Sequence, residues 1–290
     1  MKRIVLLIGC VLILAVVAFG VWALGTAEVP GEKDFALDMN RLRQVATASG
    51  EPLPVAMEEF DIAHGEFPKA VVVAGAGLFE KNHMVFRTHI LGYANGDTVV
   101  IDPVHNATQH QQLFGDGFNQ KTWAFMQEAL TNASLVLATH EHVDHVGGIA
   151  KSPNFAAIAP RVKLTAEQIN SFAVADADFA PADLQALTPL KYDDYYSPAP
   201  GIALKKAPGH SPGSQMIYVQ LASGKEYLFV GDIAWSWDNI LLKTGRARLV
   251  SRFFLGEDQA LVAAELAALA EVYRQGDVTI IVSHDENEPQ

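Results

Sequence analysis

Three histidines and one aspartate fall within six residues, at His140, His142, Asp144 and His145, inside the stretch Thr139-His140-Glu141-His142-Val143-Asp144-His145-Val146-Gly147-Gly148. Imidazole and carboxylate are ligands for divalent metals, and neither chance nor core packing accounts well for such a cluster. The apolar run Ala133–Ala138 precedes it and reads as a buried strand, so four metal-competent side chains leave one strand end. Side chains alternate along an extended segment, so His140 and His142 point the same way and can grip one ion. Asp144 and His145 come after the chain has begun to turn and project differently, toward a second ion. Gly147 and Gly148 fit a tight turn leading into a helix, where a side chain would obstruct close backbone approach.

Three later strands repeat the arrangement. Ile202–Leu204 leads into Pro208-Gly209-His210, Glu226–Val230 into Gly231-Asp232, and Val278–Val282 into Ser283-His284-Asp285. Each apolar strand delivers one ligand-type residue at its end. Thr98–Ile101 is a further strand ending at Asp102, which either opens a turn or accepts a hydrogen bond from a metal-bound histidine. His105 and His110 follow in a loop with no spacing that demands a role, and the isolated His64, His83 and His89 read as ordinary surface or core histidines.

Composition narrows the chemistry. A chain of 290 residues can bury one sizeable catalytic domain or two small ones, and a formal charge of −12 argues against a general nucleic-acid partner. The single cysteine, Cys10, sits in the first apolar run, so no intrachain disulfide forms and no thiolate serves the metal site. Lys2 and Arg3 precede Ile4–Leu24, 21 residues without a charged side chain and long enough to span a bilayer as a helix. The basic residues should stay in the cytoplasm, placing the remainder outside. Residues 1–27 are therefore expected to be an uncleaved membrane anchor, with a signal peptide cut near Gly25-Thr26-Ala27 as the second reading.

The rest divides into a spacer or edge element over 28–69, with a short helix at Met39–Ala46, and a catalytic domain over 70–290. Lys121–Leu130 reads as an amphipathic helix, Phe155–Ile158 and Val162–Leu164 as short strands, and Thr165 with Gln168 as a capping box opening another helix. Ala175–Pro200 reads as an irregular connection in which Tyr192, Tyr195 and Tyr196 pack. Residues 235–254, with Trp237, Arg246 and Arg248, read as helix surface and core rather than as a cleft wall with a basic edge. Gln259–Arg274, capped by Gly276, is a packing helix. Strands alternating with helices predict an α/β sandwich.

On the residues from His140 to Gly148, Pro208-Gly209-His210, Gly231-Asp232 and Ser283-His284-Asp285, in that order, the chain resembles the metallo-β-lactamase superfamily of hydrolases over about residues 70–285. The resemblance implies an αββα sandwich, preceded here by the amino-terminal apolar helix, with a binuclear site in the cleft between sheet ends. His140, His142 and His210 would hold one ion, Asp144, His145 and His284 the other, and Asp232 would bridge them. The ions are expected to be divalent, zinc by preference, with iron or manganese accepting similar ligands. They would share a hydroxide that attacks a carbonyl, with Asp144 orienting it and moving a proton.

The expected substrate is a small ester, lactone or thioester. The alternatives are a mononuclear iron oxygenase of the persulfide dioxygenase type and a thioesterase similar to glyoxalase II. Bacterial lactonases of the superfamily are nearer in size and in the closing His284-Asp285, but they commonly carry tyrosine three residues past the bridging aspartate, where Trp235 stands here.

Overall fold

The computed structural model describes residues 2–26 and 33–285, with side chains described from Val11 onward. Two sheets form its centre. The strands β1 (Ala56–Pro68), β2 (Lys81–Gly92), β3 (Thr98–Ile101) and β4 (Leu135–Leu137) make the first in that order, antiparallel except for the parallel β3–β4 pair. The second runs β5 (Tyr195–Ala199), β6 (Ile202–Lys206), β7 (Gln215–Gln220), β8 (Glu226–Phe229) and β9 (Thr279–Ile281), antiparallel except for β8–β9. The helices in chain order are α1 (Lys2–Leu24), α2 (Met39–Thr47), α3 (Lys69–Val72), α4 (Ala107–Leu113), α5 (Gln120–Asn132), α6 (Val143–Ala150), α7 (Phe155–Ile158), α8 (Ala166–Asn170), α9 (Pro181–Ala186), α10 (Trp237–Leu241) and α11 (Gln259–Gln275).

Alternation along the strands sorts their side chains into three apolar layers. Val99, Ile101, Leu135 and Leu137 of the first sheet meet Leu204, Ile217, Val219 and Phe229 of the second. Val100 and Val136 turn outward onto Met126 and Leu130 of α5 and Val146 and Ile149 of α6. Met216, Tyr218 and Leu228 turn the other way onto Leu42 of α2 and Leu266 and Leu269 of α11. Both faces of these strands are covered, which is why they read as continuous apolar runs rather than alternating ones. Each fully buried leucine or isoleucine contributes about 1.5–3 kcal/mol, enough for this layering to decide the fold. The architecture is the expected αββα sandwich.

Direction is what positions chemistry. Strands β3 and β4 are parallel, and β6, β8 and β9 share one direction because β7 is antiparallel to both β6 and β8. Their carboxyl ends therefore emerge in two sets, one from each sheet, and every expected ligand lies just beyond such an end.

Several local expectations are corrected. Phe155–Ile158 is helix α7, not a strand, and Val162–Leu164 makes only an isolated bridge between Val162 and Val136. Four apolar residues carry too little periodicity to tell the two states apart. Ala175–Pro200 contains α9 and β5, so Tyr195 and Tyr196 belong to an edge strand. Within 28–69, α2 forms as expected and residues 56–68 supply the edge strand β1. Among the described residues no helix is long and apolar enough to cross a membrane. The expected span reaches into residues 1–10, whose side chains lie outside the described ones.

Candidate metal centre

Beyond β4 the chain bends through Thr139–His142 and enters α6 with His142 at its N-cap. His142 Nδ1 lies 3.0 Å from His140 Nε2 and 2.9 Å from His210 Nε2. Asp232 Oδ2 is 3.5 Å from both His140 Nε2 and His210 Nε2. Its other oxygen, Oδ1, is 3.2 Å from His145 Nε2 and 3.2 Å from His284 Nε2. Asp144 Oδ2 completes that side, 3.4 Å from His284 Nε2 and 3.7 Å from His145 Nε2. Two groups of four donors result, His140 with His142, His210 and Asp232, and Asp144 with His145, Asp232 and His284.

These donors fit divalent cations. His145 Nε2 and Asp232 Oδ1 are buried without any hydrogen-bond partner, a condition that native interiors avoid because each such atom has lost its water. Cations at the two points of convergence would satisfy both atoms. Nitrogen and oxygen donors without sulfur suit zinc and also admit iron or manganese.

Partners behind the donors fix their orientation. His145 Nδ1 lies 3.0 Å from Asp102 Oδ2, while Asp102 accepts from Thr139 N at 2.6 Å and Thr139 Oγ1 at 2.8 Å. Asp102 adopts φ of 54°, a left-handed conformation that aspartate tolerates, so the end of β3 is tied to the end of β4. His284 Nδ1 donates to the Val85 carbonyl at 3.0 Å, and His210 Nδ1 lies 2.6 Å from Glu257 Oε1. Glu257 also accepts from Arg246, whose guanidinium sits 5.0 Å from the Trp235 ring centre. Trp235 Nε1 in turn donates to Asp232 Oδ2 at 2.6 Å. A continuous chain of contacts thus joins Asp232 to His210, one donor supporting another.

Burial and charge divide the two groups. Burial holds the His140 imidazole well below its ordinary pKa, and His210 falls to about 4 even beside Glu257. Burial pulls on His145 as well, but the carboxylates of Asp102, Asp144 and Asp232 outweigh it and hold that ring well above its ordinary value. Burial would raise Glu257, yet Arg246 and His210 keep its carboxyl at about 2. His140 and His210 are therefore neutral imidazoles, and the other side is a carboxylate-rich pocket that favours positive charge.

All seven sequence-expected donors come together, and Asp102 bonds a histidine of the second group. His105 and His110 instead stack on each other, 2.9 Å apart through Nε2 and Nδ1, and belong to neither group. Gly147 and Gly148 lie inside α6 rather than in a turn before it. The close approach is real, since a Cβ on Gly148 would lie 2.8 Å from the Val104 carbonyl oxygen. Residues 235–254 are more than helix surface and core, because Trp235 and Arg246 bear directly on the donors. Sequence reasoning missed Glu141, which accepts from Ser211 Oγ at 3.0 Å and ties the two donor loops together. It also missed Glu257 and Glu265, the latter accepting from Gly209 N at 3.0 Å. An acidic residue inside the alanine- and leucine-rich α11 was the one available signal for Glu265.

The profile of the metallo-beta-lactamase superfamily matches residues 87–284. N-acyl homoserine lactonases of Bacillus thuringiensis and Bacillus cereus are 23% identical to the chain over 150 residues, 52% of this chain and 55% of theirs. The chain thus spans about half the length of the curated relatives it matches. Among solved structures, a quorum-quenching N-acyl homoserine lactone lactonase superposes with a TM-score of 0.64 at 15% identity, covering 80% of this chain and 93% of that one. A probable metal-dependent hydrolase from Staphylococcus aureus gives 0.64 at 16% identity, covering 82% and 91%. At such identities the structural likeness speaks for the fold, whereas the profile covers about two thirds of the chain together with its donor motifs. The protein belongs to the metallo-β-lactamase superfamily.

Proposed function

We propose that the protein is a metal-dependent hydrolase of a small ester, lactone or thioester, with His140, His142, Asp144, His145, His210, Asp232 and His284 holding two divalent cations. The observation that carries this reading is Asp232, whose two oxygens face opposite donor groups, as a bridging carboxylate requires. Cations so held would lower the pKa of a water toward neutrality and polarise a substrate carbonyl. Asp144, at 9% exposure the most open residue of its group, would orient that water and take up its proton. Relatives named as lactonases favour a lactone within this class. Trp235 turns its N–H toward Asp232, so a lactone ring would be oriented by other groups.

The uncharged run from Ile4 to Leu24 supports placing the protein at a membrane with its catalytic part outside the cytoplasm, or exporting it if that segment is cut. The catalytic test is a screen of metal-replete protein against lactones, thioesters, phosphodiesters and β-lactams, with metal analysis alongside. Two zinc ions per chain, with hydrolysis abolished by chelator and by Asp144→Asn, is the expected result. One iron per chain with oxygen uptake would replace the reading by a persulfide dioxygenase type of chemistry.

A further inference from the structure

We propose that the segment from Trp235 to Gly256, together with the loop 73–80 and the end of α1, forms a surface that lies on a lipid bilayer. This rests on the reading that the amino-terminal run enters a membrane. Along α1, Leu12, Leu14, Val16, Val17 and Val21 are exposed on successive sides of the helix. A helix apolar all round is suited to an apolar surrounding rather than to water.

The carboxyl end of α1 is fastened to the body of the protein. Gly75 N donates to the Leu24 carbonyl at 2.9 Å, Arg248 N to the Gly25 carbonyl at 3.1 Å, and Arg248 Nη1 to the Trp22 carbonyl at 2.7 Å. The Arg248 guanidinium also sits 5.2 Å from the Trp22 ring centre, and that ring is 6.2 Å from Phe253. Whatever medium surrounds α1 therefore also meets the residues around this attachment.

Those residues are apolar and open. Phe79 is 100% exposed, Phe254 75%, Phe253 62% and Leu242 62%, with Leu78 and Leu241 beside them in sequence. Hydrogen bonds join the segments that carry them, with Ala74 N donating to the Gly245 carbonyl at 2.9 Å and the Asn239 side-chain Nδ2 to the Val72 carbonyl at 3.0 Å. Outside α1, six of the eleven large exposed apolar side chains among the described residues fall here, too concentrated to be scatter.

Charge selects the occupant. The chain carries −12 overall, yet this face holds Lys243, Arg248 and Arg252 outside the buried Arg246–Glu257 pair, while its acids Glu80 and Asp238 both face Lys69. Exposed phenylalanines beside exposed Lys243 and Arg252 suit the headgroup zone of an anionic membrane. A second copy is disfavoured, because two chains of this net charge repel. The same segment reaches Asp232 through Trp235 and His210 through Arg246 and Glu257, so lipid contact would set one wall of the cleft beside the bilayer.

The test uses the full chain with Cys10→Ser and either Phe254→Cys or Asn95→Cys, labelled with an environment-sensitive dye. Asn95 lies in the exposed β2–β3 turn, at the opposite end of β3 from Asp102. The protein is reconstituted into vesicles of phosphatidylcholine and phosphatidylglycerol that contain nitroxide lipid. Emission from position 254 should shift to the blue and be quenched, emission from 95 should do neither, and Lys243→Glu with Arg252→Glu should reduce the quenching. If the chain floats with the vesicles while position 254 stays in water, the surface is wrong although α1 inserts. If the chain does not float, both ideas fall. A blue shift without quenching, accompanied by a cross-linked dimer, would assign the face to a second copy and overturn the proposal. Ester hydrolysis by unlabelled protein is read separately and bears only on the catalytic proposal.

Discussion

Trp235 donates its indole N–H to Asp232 Oδ2 across 2.6 Å, three residues along the chain from the carboxylate that faces both donor groups. The bridging carboxylate is thereby held from outside the cation sites. Its holder packs on Arg246, which is bound to Glu257 and so to His210.

Trp235→Phe keeps an aromatic ring and removes the donor. Metal affinity should fall about tenfold, the usual scale for losing a partner behind a ligand. Competition with a chromophoric chelator measures it, and unchanged affinity would show that the indole only fills space.

Glu257→Gln should weaken the cation held by His140, His142 and His210 about 10–100-fold while sparing the other, because His210 is the one donor among the seven that loses a charged partner. Stepwise chelation reads the two sites apart. Arg246→Met instead leaves the Glu257 charge buried without its strongest counter-ion and should cost about 3–5 kcal/mol in urea denaturation. Combining the two substitutions should restore part of that loss, since the stranded charge is gone.

Gly148→Ala sets two effects against each other. Alanine gains about 1 kcal/mol of helix propensity within α6. Its Cβ would lie 2.8 Å from the Val104 carbonyl oxygen and 2.9 Å from that of Pro103, backbone atoms that cannot swing aside. Overpacking of this kind costs about 1–3 kcal/mol, so the variant should be less stable on balance, as calorimetry would register.

Glu265 gives a pH dependence of definite sign. Burial raises its carboxyl from 4.5 to about 8, and one of its oxygens has no partner. Between these values the folded protein holds a proton that the unfolded chain has released, so this group's contribution to stability falls as pH rises through that window. Glu265→Gln keeps an acceptor for Gly209 N and removes the titration. Relative to the parent, the variant should gain stability progressively from pH 5 to pH 8, by up to a few kcal/mol at the upper end. A constant difference across that range would refute this origin.

The donors were legible because ligand chemistry restricts residue type and strand ends restrict place. His140, His142, Asp144 and His145 announced themselves by spacing alone, while His210, Asp232 and His284 needed the repeated pattern of an apolar strand followed by a polar residue. The layers were legible for a related reason, since strands covered on both faces must be apolar throughout. Short segments were not, and Phe155–Ile158 became a helix because four residues hold too little periodicity to decide.

What the linear chain determined was therefore the set of groups able to bind cations and the sheets able to carry them. Only the folded arrangement decided that Arg246 stacks on Trp235, that Glu257 grips His210 across 47 positions, and that Glu141 joins two donor loops. Such contacts depend on where separate elements come to rest, and a lone arginine or glutamate has no local pattern that distinguishes a buried partner from a solvated one.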